Sequence, residues 1–147
     1  MDVTRILTMP AGAELDVIIA ERVMGWKWEQ YDEPRGRVLV GPSFEVDGQI
    51  YCRAYWDRIG LPDRSWLGLP YYSEKVGDAW EVVDAMQKRG YWMQLRTPFG
   101  AGEDDDGYWA GFTPFLTTGW NGRPDNWVSS SSPALSICRS ALWTVMA

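Results

Sequence analysis

"YYSEKVGDAWEVVDAMQKRGYWMQLRT", residues 71–97, joins a helix pattern directly to a strand pattern, and that junction decides how the rest of the chain is read. Ser73 reads as an N-cap, Glu74 sits on the positive start of the helix, Lys88 and Arg89 sit on its negative end, and Gly90 closes it. The predicted buried stripe is Val76, Ala79, Trp80, Val83 and Met86. Directly after Gly90 the period falls to two, with Tyr91, Met93 and Leu95 alternating against Trp92, Gln94 and Arg96.

Working outward, "YWAGFTPF" at residues 108–115 alternates in the same way, so the two segments should pair as an antiparallel hairpin. Their connection, "PFGAGEDDDG", is Gly-rich and acidic and is expected in solvent. "GRVLVG" and "QIYCRAYW" are two further strands, separated by the turn-forming "PSFEVDG". At the front of the chain, "PAGAELDVIIAERVMGW" predicts a helix starting near Pro10, with Leu15, Ile18, Ile19 and Val23 on its buried stripe and Gly25 as a left-handed cap. At the other end, Ser132 caps a helix with Pro133 in its first position, and Ala134, Leu135, Cys138, Ala141, Leu142 and Val145 form its core face. A sheet covered by helices is the economical way to bury three one-sided helices. The expected fold is therefore α+β, a single domain over residues 1–147 in the form of an alpha-beta-alpha sandwich, with a mostly antiparallel sheet and three main helices.

Composition narrows the function. The chain has 147 residues, 46% of them apolar, and a formal net charge of −6. This is the composition of a folded domain, and its acidity argues against duplex nucleic acid and against an anionic membrane surface. Cys52 and Cys138 lie far apart in apolar segments and read as two reduced core thiols of an intracellular protein. The N-terminus has no secretory pattern, and no run is long enough to span a membrane. Histidine is absent, which removes the commonest general base and the commonest metal ligand. Eleven arginines against three lysines suit planar recognition of phosphate or carboxylate, and a GC-rich genome would produce the same bias.

The segments "AGAELDVIIAERVMGW", "LPYYSEKVGDAWEVVDAMQKRGYWMQL" and "PALSICRSALWTVM" together resemble the phage ABA sandwich domain, a small alpha/beta module of bacteriophages and prophages. The most characteristic piece is Tyr72 and Ser73 leading into the helix that carries Ala79, Trp80, Val82 and Val83. Glu74 and Lys75 stand where the family pattern has Thr and Asp, so any role of that pair is not carried over. The resemblance implies an alpha-beta-alpha fold and a phage origin, and little about function.

Candidate chemistry is sparse. The acidic run Glu103 to Asp106 lacks the alternating ligands of a calcium loop and reads as a solvated tip, so no metal site is expected. Ser129 to Ser132 have no base beside them and read as a loop ending in a cap. Trp26, Trp80, Trp92, Trp109 and Trp143 fall in or beside packed elements and read as core residues. Trp66, Trp120 and Trp127 lie instead in polar loops, "PDRSWLGLP" and "WNGRPDNW", together with Arg64, Arg123 and Asn126. Loop aromatics commonly cover a core edge, yet aromatic faces and Arg planes also stack on bases. The start of the middle helix, flanked by Tyr71, Tyr72, Ser73 and Lys75, offers backbone donors for a phosphate, as every N-capped helix does.

These ten residues are the candidate ligand-binding set. The leading expectation is a non-enzymatic phage counter-defence protein that sequesters a host nucleotide immune signal, such as a cyclic dinucleotide or an ADP-ribose-type molecule, in the cytoplasm of the infected host. No cofactor is expected, and the expected assembly is a homo-oligomer, most simply a two-fold dimer. The alternatives are a protein-interaction module acting on a host protein and, third, a hydrolase of the nucleotide signal, which the missing histidine disfavours.

Overall fold

The computed structural model describes residues 1–32, 36–57, 68–98, 107–115 and 127–146. In chain order these form α1 (Val3–Thr8), α2 (Ala13–Arg22), β1 (Lys27–Asp32), β2 (Gly36–Val46), β3 (Gln49–Trp56), α3 (Val76–Lys88), β4 (Tyr91–Arg96), β5 (Tyr108–Pro114), β6 (Val128–Ser130) and α4 (Pro133–Met146). The strands make two antiparallel three-stranded sheets, β1-β2-β3 and β4-β5-β6. The fold is α+β, a sandwich of helices and mostly antiparallel strands. The strands, however, divide into two small sheets instead of one.

The organising element is α4. Its residues 134–138 and 140–142 are buried on every side, the pattern of a helix enclosed by the rest of the molecule. It touches β5 and β6, α3, α1 and α2. Ser132 caps it as expected, its carbonyl accepting from the Ser136 amide at 3.1 Å and its hydroxyl from the Leu135 amide at 3.4 Å. One continuous core joins Leu39 of the first sheet, Ala110 and Phe112 of the second, and the inner faces of the helices.

Around α4 the expected helices hold, with a later start and a shifted stripe in α3 and one helix added. In α2, Leu15 and Ile19 are fully buried, and the chain leaves the helix through Gly25 at φ +79°, where the Met24 and Trp26 amides return to Ile19 O and Ala20 O. In α3 the helix begins at Val76, and Ser73 is not its cap. The buried stripe is Ala79, Val82, Val83 and Met86, whereas Val76 and Trp80 are about half exposed. Both stripes are apolar in sequence, so only the neighbours decide which one is covered. α1 has six residues, too few to show a period in the sequence. Asp2 caps it by accepting from the Arg5 amide at 2.8 Å, and the Arg139 guanidinium of α4 closes it with two bonds to Met9 O, at 2.7 and 3.0 Å.

The hairpin of β4 and β5 forms as expected, in register from Tyr91↔Pro114 to Arg96↔Trp109. β2 and β3 also pair, but the turn between them is only Asp47-Gly48, with φ of +51° and +79°, as a two-residue hairpin loop requires. "PSFE" is thus strand, interrupted by an irregularity between Val40 and Ser43. There the buried Trp26 indole lies against Gly41, so closely that an added Cβ would sit 2.6 Å from the ring. Cys138 is a core thiol, whereas Cys52 is exposed on β3.

Candidate functional site

The start of α3 is a packing joint. Asp16 of α2 is fully buried, and one of its carboxylate oxygens accepts both the Ser73 amide, at 2.8 Å, and the Ser73 hydroxyl, at 2.7 Å. The same hydroxyl accepts from the Gly12 amide at 2.9 Å. Tyr72 is fully buried, and its hydroxyl has no hydrogen-bond partner among the described residues. Burial, followed by the nearby charge of Glu81, pushes its pKa well above the usual phenol range. Asp78 Oδ2 takes the Tyr71 amide at 2.9 Å, and Lys75 Nζ lies 4.5 Å from the centre of the Tyr71 ring. Of the four residues expected to receive a phosphate here, Tyr72 and Ser73 therefore face inward, and only Tyr71 and Lys75 reach the surface. Asp78 and the exposed Glu74 stand beside them.

Trp127 belongs to a different place. Trp120, Arg123, Asn126, Arg64 and Trp66 lie outside the described residues, as does the acidic run Glu103 to Asp106. Trp127 immediately precedes β6, and its indole stacks on that of Trp109, with ring centres 5.9 Å apart and planes inclined by 16°. Cross-strand partners share a face of a sheet. Ala110, Phe112 and Val128 face α4 and are buried. The alternate positions, Trp109, Gly111 and Thr113 of β5, with Arg96, Gln94 and Trp92 across from them on β4, occupy the face turned away from α4.

On that outer face the aromatics are paired with one another and not with the core. Besides Trp109 and Trp127, Trp92 packs against Phe115 with ring centres 4.6 Å apart, and both remain substantially exposed, at 52% and 43%. Among the buried polar atoms on the face, Trp127 Nε1 and Thr113 Oγ1 have no hydrogen-bond partner among the described residues. Buried polar atoms left unmatched are uncommon and ask for an explanation. Sequence reasoning placed Trp92 and Trp109 in the core. The alternation of Met93 and Phe112 against Trp92 and Thr113 was the signal that could have placed them outside. Trp26 and Trp143 do pack the core as expected.

A separate cleft of about 470 Å³ opens between the end of α2 and α3, bordered by Met24, Pro42, Glu81, Asp84, Lys88 and Arg89. Two of its charged residues are already engaged in structure. Arg89 closes α2 with bonds to Arg22 O and Val23 O at 3.0 and 2.9 Å, and Glu81 pairs with Arg53 at 3.1 Å. Among the described residues no group of three His, Cys, Asp or Glu side chains gathers to hold a metal ion, and no helix is long and apolar enough to cross a membrane.

A family model described as the phage ABA sandwich domain matches residues 17–142. Among solved structures, a phage protein from Bacillus cereus ATCC 14579 is similar, with 18% identity over 92% of this chain and 97% of that one and a TM-score of 0.47. No curated protein matches the chain.

Proposed function

The chain belongs to the phage ABA sandwich domain family, and we propose that it is a counter-defence protein that binds and sequesters a small nucleotide signal of the host, in the host cytoplasm, without altering it chemically. The observation that carries this reading is the stacked Trp109 and Trp127 pair on the outer sheet face. Flat aromatic faces take a base by stacking. Gln94, Thr113 and Ser129 complete the outer positions, and none is a general base. With histidine absent from the chain, the residues supply recognition without an evident route to hydrolysis.

Native mass spectrometry of protein purified from a host with an active nucleotide-signalling defence tests the reading. A retained nucleotide, released unchanged on heating, supports it. A chemically altered nucleotide overturns it in favour of a hydrolase. A second reading, a module that binds a host protein, draws on the β2–β3 hairpin, where Ile50 is 77% exposed and Val46 40%. A co-purifying host polypeptide in place of a nucleotide would favour it. The same apolar tip is where a two-fold dimer would bury surface, which light scattering at high micromolar concentration tests.

A further inference from the structure

Four strands lie at a sheet edge among the described residues, β1 and β3 in the first sheet and β4 and β6 in the second. An edge strand presents a row of unpaired amides and carbonyls, and proteins that stay apart blunt it by shortness, charge or a bulge. β6 has three residues, and β1 carries Lys27, Glu29 and Asp32 with a register shift between Glu29 and Asp32. β4 has six residues, and its exposed Trp92 is packed on Phe115. β3 is the longest of the four and has none of these devices. Its one charged residue, Arg53, is paired with Glu81 at 3.1 Å, and Ile50 is 77% exposed. None of its eight residues is buried.

The direction of its free backbone groups follows from its pairing with β2. The Asp57 amide donates to Arg37 O at 3.0 Å, and Val46↔Gln49 closes the two-residue turn, so the odd-numbered residues of this strand bond to β2. The amides and carbonyls of Ile50, Cys52, Ala54 and Trp56 therefore point away from it, and no backbone bond to another described strand or loop takes them. We infer that this edge pairs with the same edge of a second copy, antiparallel about a two-fold axis, so that two three-stranded sheets join into one of six strands. Under such an axis each residue faces one on the same side of the sheet, which leaves few registers. Centring on Arg53 sets two guanidiniums opposite each other, and centring on Tyr51 pairs only residues 49–53 of β3. Centring on Cys52 pairs residues 49–55, places Ile50 on the partner's Ala54 and Tyr51 beside the partner's Arg53, and makes about six backbone hydrogen bonds. A second copy fits better than a foreign strand because the edge complements itself, an apolar side chain against a small one and a ring against a guanidinium. With Arg53 neutralised by Glu81, the two edges meet without net charge.

Sedimentation velocity of the full chain from low to high micromolar concentration, with cross-linking by the short thiol reagent bis(maleimido)ethane, tests the inference, which is independent of what ligand the chain holds. The wild type should sediment as a dimer and cross-link through the exposed Cys52, since Cys138 is buried. Cys52→Ser should stay dimeric and lose the cross-link. Cys52→Lys, which sets two ammonium groups face to face, should keep the circular dichroism of the parent and weaken the dimer by roughly fivefold or more. Ala54→Pro deletes one outward amide and should weaken the dimer while leaving the pairing with β2 intact. A monomer at every concentration would overturn the inference, as would a dimer that neither cross-links at Cys52 nor responds to Cys52→Lys and Ala54→Pro. If Cys52→Lys does not fold, Ala54→Pro and the wild-type cross-link decide. A monomer that instead captures a host polypeptide, with capture lost in Ala54→Pro, would overturn the second copy in favour of a foreign strand.

Discussion

Removing the carboxylate of Asp16 should loosen the joint that seats α3. The side chain is fully buried and accepts two bonds from Ser73, one from the amide and one from the hydroxyl, at 2.8 and 2.7 Å. In Asp16→Ala the Ser73 amide has no replacement acceptor, whereas its hydroxyl can turn toward Gly12 O, 3.5 Å away. An orphaned buried donor costs about 1–3 kcal/mol, and each hydrogen bond to a charged group is worth about 1.5–3 kcal/mol, so losing both bonds to the carboxylate costs about 3–5 kcal/mol once the hydroxyl has turned to Gly12 O. For a chain of this length each kcal/mol lowers Tm by about 2–4 °C, so the variant should melt roughly 6 to 20 °C below the parent. Asp16→Asn keeps an acceptor at the same position and should lose about half as much or less. Urea unfolding followed by tryptophan fluorescence and by far-ultraviolet circular dichroism measures both variants. The double variant Asp16→Ala/Ser73→Ala should cost clearly less than the two single changes added together, since each removes the same interaction. A loss under about 1 kcal/mol for Asp16→Ala, or strict additivity in the cycle, would refute the claim that this contact holds the start of α3.

Three other outcomes follow from the core. Tyr72→Phe removes a buried hydroxyl with no partner among the described residues, so it should be neutral or stabilising by up to about 1 kcal/mol in a thermal melt. Because the folded state holds the Tyr72 proton more tightly than the unfolded state does, the parent should lose stability as pH rises above about 10, and Tyr72→Phe should flatten that slope. Burial, and then the charge of Asp16, push the Cys138 thiol well above its usual pKa, so a thiol reagent should modify the exposed Cys52 in the native protein and Cys138 only after unfolding. Fast modification of both would contradict the packing around α4. Gly41→Ala would drive a methyl into the Trp26 indole and should cost about 1–3 kcal/mol, and a melt unchanged from the parent would show that the ring is free to move.

The readings that survived folding are those set by neighbours along the chain. Pro133 after Ser132, Gly25 after Val23, and the alternation in 91–96 and 108–114 act through backbone dihedrals and local periodicity, and the structure keeps each of them. Absence of histidine and the net charge of −6 are also properties of the chain alone, and they bounded the chemistry before any contact was known. What required the tertiary structure was every choice between two locally equivalent faces. Val76 and Trp80 are as apolar as Val82 and Val83, and α4 covers the second pair because of where it lies, not because of the spacing in α3. Ser73 has the chemistry of a cap, but a carboxylate 57 positions away in sequence takes both of its donors. Trp92 and Trp109 have the composition of core residues, and their strands turn them outward because Met93, Ala110 and Phe112 already fill the side toward α4. Local patterns carry propensity and period, whereas the face that is buried depends on contacts between residues far apart in sequence, which no single window contains.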